Sequence, residues 1–258
     1  PNTRLFVHQG RCKHRRGLLF SCYKVWILLH WRGMRFVRPI SRQRFSETDL
    51  TFTARVTGEA VSVGELATDA ARRDALLDRP EIFDRVVTGE EIVNLTRYYY
   101  FYVLVRHFTR DAGLDDRALA DYLASLLAEA LDGPRFGGAD DAATVTPVFY
   151  VSDALQRIHE TSYPQRFFLM ARLADQTLLL TGIFPRYVER RRARRAAPGV
   201  EFYASVGKTH YETVKHHVIA QEFALCEIYD ALSCGYDEVR GALNRMSRRG
   251  MRWGRSGS

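Results

Sequence analysis

Eight consecutive residues, Tyr98-Tyr99-Tyr100-Phe101-Tyr102-Val103-Leu104-Val105, carry apolar or aromatic surface on nearly every side. A helix with no polar face to leave in water has to be central, with neighbours packed around it. Ile92, Leu95, Tyr99, Tyr102 and Phe108 extend this pattern as one stripe towards Asp111, and Gly113 ends it. Thr88 reads as the N-cap, with Glu90 and Glu91 in the first turn to complement the helix dipole. The run therefore demands a fold of several helices around a buried one.

The rest of the chain supplies candidates for those neighbours. Leu119, Leu123, Leu126, Leu127 and Leu131 give a helix opened by Asp115 and Asp116 and closed by Gly133. Further helical patterns cover 64–77, 80–87, 149–159, 165–180 and 186–196. A long stripe follows. Tyr211, Val214, Val218, Leu225, Tyr229 and Leu232 lie three, four, seven, four and three apart, which predicts one helix over about 200–232. Gly235 ends it, and Tyr236 to Arg249 forms the last helix. One segment reads differently: Leu50-Thr51-Phe52-Thr53-Ala54-Arg55-Val56 alternates apolar with polar, and Thr57-Gly58-Glu59 can turn the chain.

The expected fold class is thus all-α, a multi-helix bundle of roughly eight helices with a short extended or hairpin N-terminal arm. By composition, the boundaries are a leader at 1–33, the arm at 34–63, a helical domain at 64–249 and a basic tail at 250–258. A loop at 133–147 (Gly-Pro-Arg-Phe-Gly-Gly-Ala-Asp-Asp-Ala-Ala-Thr-Val-Thr-Pro) lies inside the domain. With 258 residues and 46% hydrophobic content, the chain has enough material for one packed core.

Charge is unevenly placed. The formal total is +8, but residues 1–33 hold +7 and Arg240 to Ser258 hold +6, neither with an acid, leaving −5 for residues 34–239. An argument from basicity to nucleic acid therefore rests on the two ends. The cations are 34 Arg and 4 Lys, a bias that fits a GC-rich coding sequence as well as a selected surface.

Residues 1–33 differ in kind from the rest, with Cys12, Cys22, Trp26 and Trp31 and no Met before Met34. Three readings are open: translated upstream sequence ahead of a start at Met34, a basic amphipathic element lying on a membrane, or a signal segment. The apolar stretch Leu18 to Trp31 is 14 residues and is interrupted by Lys24 and His30. It falls short of the roughly 20 residues a spanning helix needs, so no transmembrane segment is expected. Beyond Met34, Cys226 and Cys234 lie eight apart without a Cys-x-x-Cys pair, which fits a reducing, cytoplasmic setting.

Signatures of chemistry are few. Gly207-Lys208-Thr209 resembles the end of a phosphate loop, but position 202 is Phe where a Gly is needed and no strand precedes it. Glu212 and His216 share a helical face, yet no Glu is followed by His at the third position and no His-Glu-x-x-His occurs. No catalytic residue, metal or cofactor is expected. Two groups remain as anion or nucleic-acid contacts. Arg190, Arg191, Arg194 and Arg195 present overlapping helical faces. Arg240, Arg245 and Arg248 line the exposed side of a helix-turn-helix outline at the C-terminus. Tyr99, Tyr102, His159 and His210 are candidates for an aromatic pocket.

These features give a leading expectation and two alternatives. The first is a non-enzymatic helical interaction or regulatory protein, with a protein partner or a second copy of itself, because apolar helix is abundant and catalytic signatures are missing. The second is a nucleic-acid-binding protein using the final helix or the Arg186–Arg195 run. The third is a helical enzyme or ligand carrier.

Overall fold

The computed structural model describes residues 45–89, 94–132, 151–163 and 165–249, all within one compact unit, Pro39–Ser258. The readings made above for 1–33, for the loop at 133–147 and for the tail at 250–258 lie outside the described residues. Those residues form thirteen α-helices and no strand, which agrees with the all-α class and exceeds the eight helices expected.

The extra helices arise where a polar side chain caps the backbone in mid-pattern. Leu50–Val56, expected as a strand, lies in α1 (Glu47–Thr57). Ser46 accepts from the Asp49 amide at 3.1 Å while the Asp49 carboxylate accepts from the Ser46 amide at 2.8 Å. This capping box, closed by Gly58 in the left-handed conformation, outweighs the alternation of Thr with apolar residues. The pattern at 64–77 divides into α2 (Val63–Thr68) and α3 (Ala70–Leu77) because Asp69 ends one and caps the next. Thr88 closes α4 (Pro80–Thr88) instead of opening a helix: Gly89 takes φ 84°, a left-handed stop.

The aromatic run forms α5 (Arg97–Arg110), and every residue from Tyr99 to Arg106 is buried. Its cap is Thr96, fixed from outside the helix. The buried Asp49 carboxylate accepts from the Thr96 amide at 2.9 Å and its hydroxyl at 2.8 Å. One carboxylate thus holds the first turns of two helices. Phe45 and Phe52 pack edge-on against Tyr99, and the Tyr99 hydroxyl meets Thr53 at 2.8 Å.

Behind α5 comes α6 (Arg117–Asp132), packed along it. Then follow α7 (Val151–Glu160), α8 (Gln165–Ile183) and α9 (Pro185–Arg195), with α9 bent 92° from α8. The single helix expected over 200–232 is three: α10 (Val200–Val214), α11 (Val218–Glu222) and α12 (Cys226–Cys234). His217 caps α11, its Nδ1 accepting from the Ile219 amide at 3.1 Å, and Ala224 turns the chain at φ 55°. Tyr211, Val214, Leu225, Tyr229 and Leu232 still face inward, whereas Val218 is 47% exposed at the break. The last helix is α13 (Tyr236–Arg249).

The centre is α8, flanked by α10, α13, α7 and α9. Val151, Ile158, Leu173, Leu180, Val188 and Tyr203 form one apolar cluster drawn from α7 to α10. α13 also packs on α5, so it joins the two halves of the bundle. Among the described residues no single helix is long and apolar enough to cross a membrane.

Candidate functional site

A polar centre lies inside the bundle. Asp175 on α8 is 7% exposed. Its Oδ1 accepts from the Tyr122 hydroxyl at 2.6 Å and the Tyr211 hydroxyl at 2.7 Å. Tyr229 packs against both of those rings, and Tyr236 against that of Tyr211. Burial pushes the Asp175 carboxyl up to about 6, while the two hydroxyl donors pull against that rise. Burial likewise raises Tyr122 and Tyr211, which stay protonated donors. Where α10 crosses, a Cβ on Gly207 would sit 2.5 Å from the Thr177 and Tyr236 hydroxyl oxygens, so only Gly fits. The cluster joins α6, α8 and α10 by shared hydrogen bonds. Its oxygens are enclosed by side chains, and the Tyr229 and Tyr236 hydroxyls meet no hydrogen-bond partner among the described residues.

A second cluster is ionic. Asp78, between α3 and α4, accepts from Arg106 Nε at 2.9 Å and Nη2 at 3.1 Å. Arg117 also donates to it, and Arg110 lies 3.7 Å away. Arg106 pairs in addition with Asp115, whose carboxyl this guanidinium holds low. Beside it a surface depression is lined by His107, Arg110, Asp111, Gly113 and Asp115. Its His107 ring stacks on Phe83, and partial burial lowers its pKa. Asp78 and Asp115 are matched by arginines, and Asp111 lies 3.5 Å from the His107 ring.

The four pocket candidates do not converge. Tyr99 and Tyr102 are buried and packed by Phe45. His159 is exposed near the end of α7. His210 on α10 hydrogen-bonds through Nδ1 to the Val206 carbonyl at 2.8 Å, and burial lowers its pKa. His216 lies 3.9 Å from Glu212 on the surface, and no group of metal-binding side chains occurs among the described residues.

The arginine candidates lie on two helices that both pack on α8. Asn244 Nδ2 on α13 donates to the Gly182 carbonyl of α8 at 3.3 Å. A Cβ on Gly182 would lie 2.9 Å from Leu243 Cβ, so the backbone of α8 and this turn of α13 are in close contact. α9 begins three residues after Gly182. α9 therefore starts next to the point where α13 packs against α8. On α9, Arg190, Arg194 and Arg195 are exposed, Arg191 lies over the Tyr187 ring at 5.8 Å, and Arg192 is 3.9 Å from Glu189. On α13, Arg245 and Arg248 are exposed. Arg240 is instead engaged, 3.0 Å from both Glu201 and Asp237. Among the described residues no carboxylate holds Arg190, Arg194, Arg195, Arg245 or Arg248. Sequence spacing could not place two arginine groups fifty residues apart against one helix, since α13 and α8 meet only in the tertiary structure.

Comparison with known protein families, with curated proteins and with solved structures finds no significant match to this chain.

Proposed function

We propose that this is a non-catalytic helical interaction protein, and that its contact surface is formed by the arginines of α9 and α13. The observation carrying this reading is that Arg190, Arg194 and Arg195 of α9 and Arg245 and Arg248 of α13 are exposed and held by no carboxylate among the described residues, on two helices that both pack on α8. Such a surface attracts an anionic partner and offers it paired N–H donors. The enclosed polar core and the matched ionic cluster argue for scaffolding roles elsewhere in the bundle.

Heparin chromatography tests this. Arg190→Gln/Arg194→Gln/Arg195→Gln should elute the full chain at clearly lower salt than wild type. The charge-matched Arg55→Gln/Arg72→Gln/Arg85→Gln, on α1, α3 and α4, should shift it much less. Equal shifts for the two triple variants would show that net charge alone governs retention, and would overturn the proposal.

A further inference from the structure

Beside the arginine helices stands an aromatic ring that packs edge-on against Tyr203, at 5.5 Å between centroids, and leaves much of its surface open. Phe202 is 44% exposed on the first turn of α10, one of three exposed large hydrophobic residues among those described. Its neighbours in the helix fix where it points. Glu201 reaches towards α13, where Arg240 Nη1 donates to it at 3.0 Å. Tyr203 turns the other way, into the cluster that holds Val188 of α9. Successive helical residues are about 100° apart, so Phe202 lies between these two directions and faces outward. The N-cap of the same helix, Gly199, lies against the Arg192 side chain, where a Cβ would come within 3.2 Å of Nη1. An exposed ring thus stands between two arginine helices.

We infer that this surface binds single-stranded nucleic acid, with Phe202 stacking on a base while arginines of α9 and α13 track the phosphates. This inference rests on the anionic-partner reading above and names the partner. The physical basis is general. A flexible strand offers both a phosphate backbone and open base faces, and proteins that bind it combine a cationic track with an aromatic platform. A duplex hides its base faces, so an exposed Phe reaches them only by prying a base step apart, at the cost of unstacking it. An acidic peptide satisfies the arginines but leaves the ring unused.

The test is fluorescence anisotropy with the full chain and three labelled probes: dT15, rU15 and a 15-base-pair duplex. Both single strands should bind more tightly than the duplex. Phe202→Ala should weaken single-strand binding about 5- to 100-fold, the range expected for losing one stacked base. It should leave duplex and heparin binding within twofold, and Phe202→Trp should preserve the single-strand affinity. Unchanged single-strand binding by Phe202→Ala, or tighter binding of the duplex, would overturn the stacking role while the heparin result still stands. If the α9 triple variant matches the control variant on heparin, the anionic surface itself fails. The two failures are thereby distinguishable.

Discussion

At Asp175 a single carboxyl couples folding to pH. It keeps its proton to a pH of about 6 in the folded chain, whereas an unburied Asp ionises near pH 4. Between those values the folded state binds the extra proton, so stability falls as pH rises through that window and levels off above it. Ionised Asp175 therefore carries a burial penalty of roughly 3 kcal/mol at neutral pH. Asparagine retains an oxygen for the Tyr122 and Tyr211 hydroxyls without the charge. Asp175→Asn should be more stable than wild type at pH 8 and close to it at pH 4. Thermal unfolding followed by circular dichroism at several pH values measures the difference. A variant less stable at pH 8 would show that the hydroxyl donors hold the anion better than burial opposes it.

Among the elements, α5 shows how a buried helix is anchored at both ends. Its start is fixed by Asp49 of α1 through Thr96. Near its far end, the nearly buried Arg106 is fixed by Asp78 between α3 and α4. Removing Asp78 leaves that guanidinium with Asp115 as its remaining partner. With Asp115 still in place the guanidinium is not stranded, so the cost is that of a lost charged hydrogen-bond pair, about 1–3 kcal/mol. Asp78→Ala should lower the urea midpoint accordingly with an unchanged slope, because the core stays packed. The eight-residue aromatic run announced this helix plainly; its starting residue was not readable. Thr88 and Thr96 are equally good N-caps by residue type, and what selects Thr96 is a carboxylate 47 positions earlier in the chain. Likewise, the stripe from Tyr211 to Leu232 marks the buried residues correctly apart from Val218. It conceals two breaks, because periodicity survives when short helices continue in a similar phase.

For the molecule as a whole, the decisive contact is between α8 and α13. Replacing Gly182 by Val puts two methyl groups where Leu243 Cβ already leaves 2.9 Å to a Cβ. Either the helices part or a side chain leaves its rotamer, at about 1–3 kcal/mol. Gly182→Val should lower the melting temperature and also move heparin elution to lower salt, although it removes no charge. The retention of Arg245→Gln/Arg248→Gln should then fall less in the Gly182→Val background than in wild type, because α13 is already displaced. Independent, additive shifts would mean that α9 and α13 do not act as one surface.

The sequence by itself determined the all-helical class and the burial of the aromatic run. Each of these follows from local composition and period, which act over one or two helical turns. The tertiary structure alone decided where helices stop, that Asp175 meets Tyr122 and Tyr211, and that Phe202 stands between two arginine helices. Those outcomes depend on side chains tens of residues apart. A carboxylate selects its hydroxyl partner, and a glycine its facing helix, only when packing has brought them within a few ångströms.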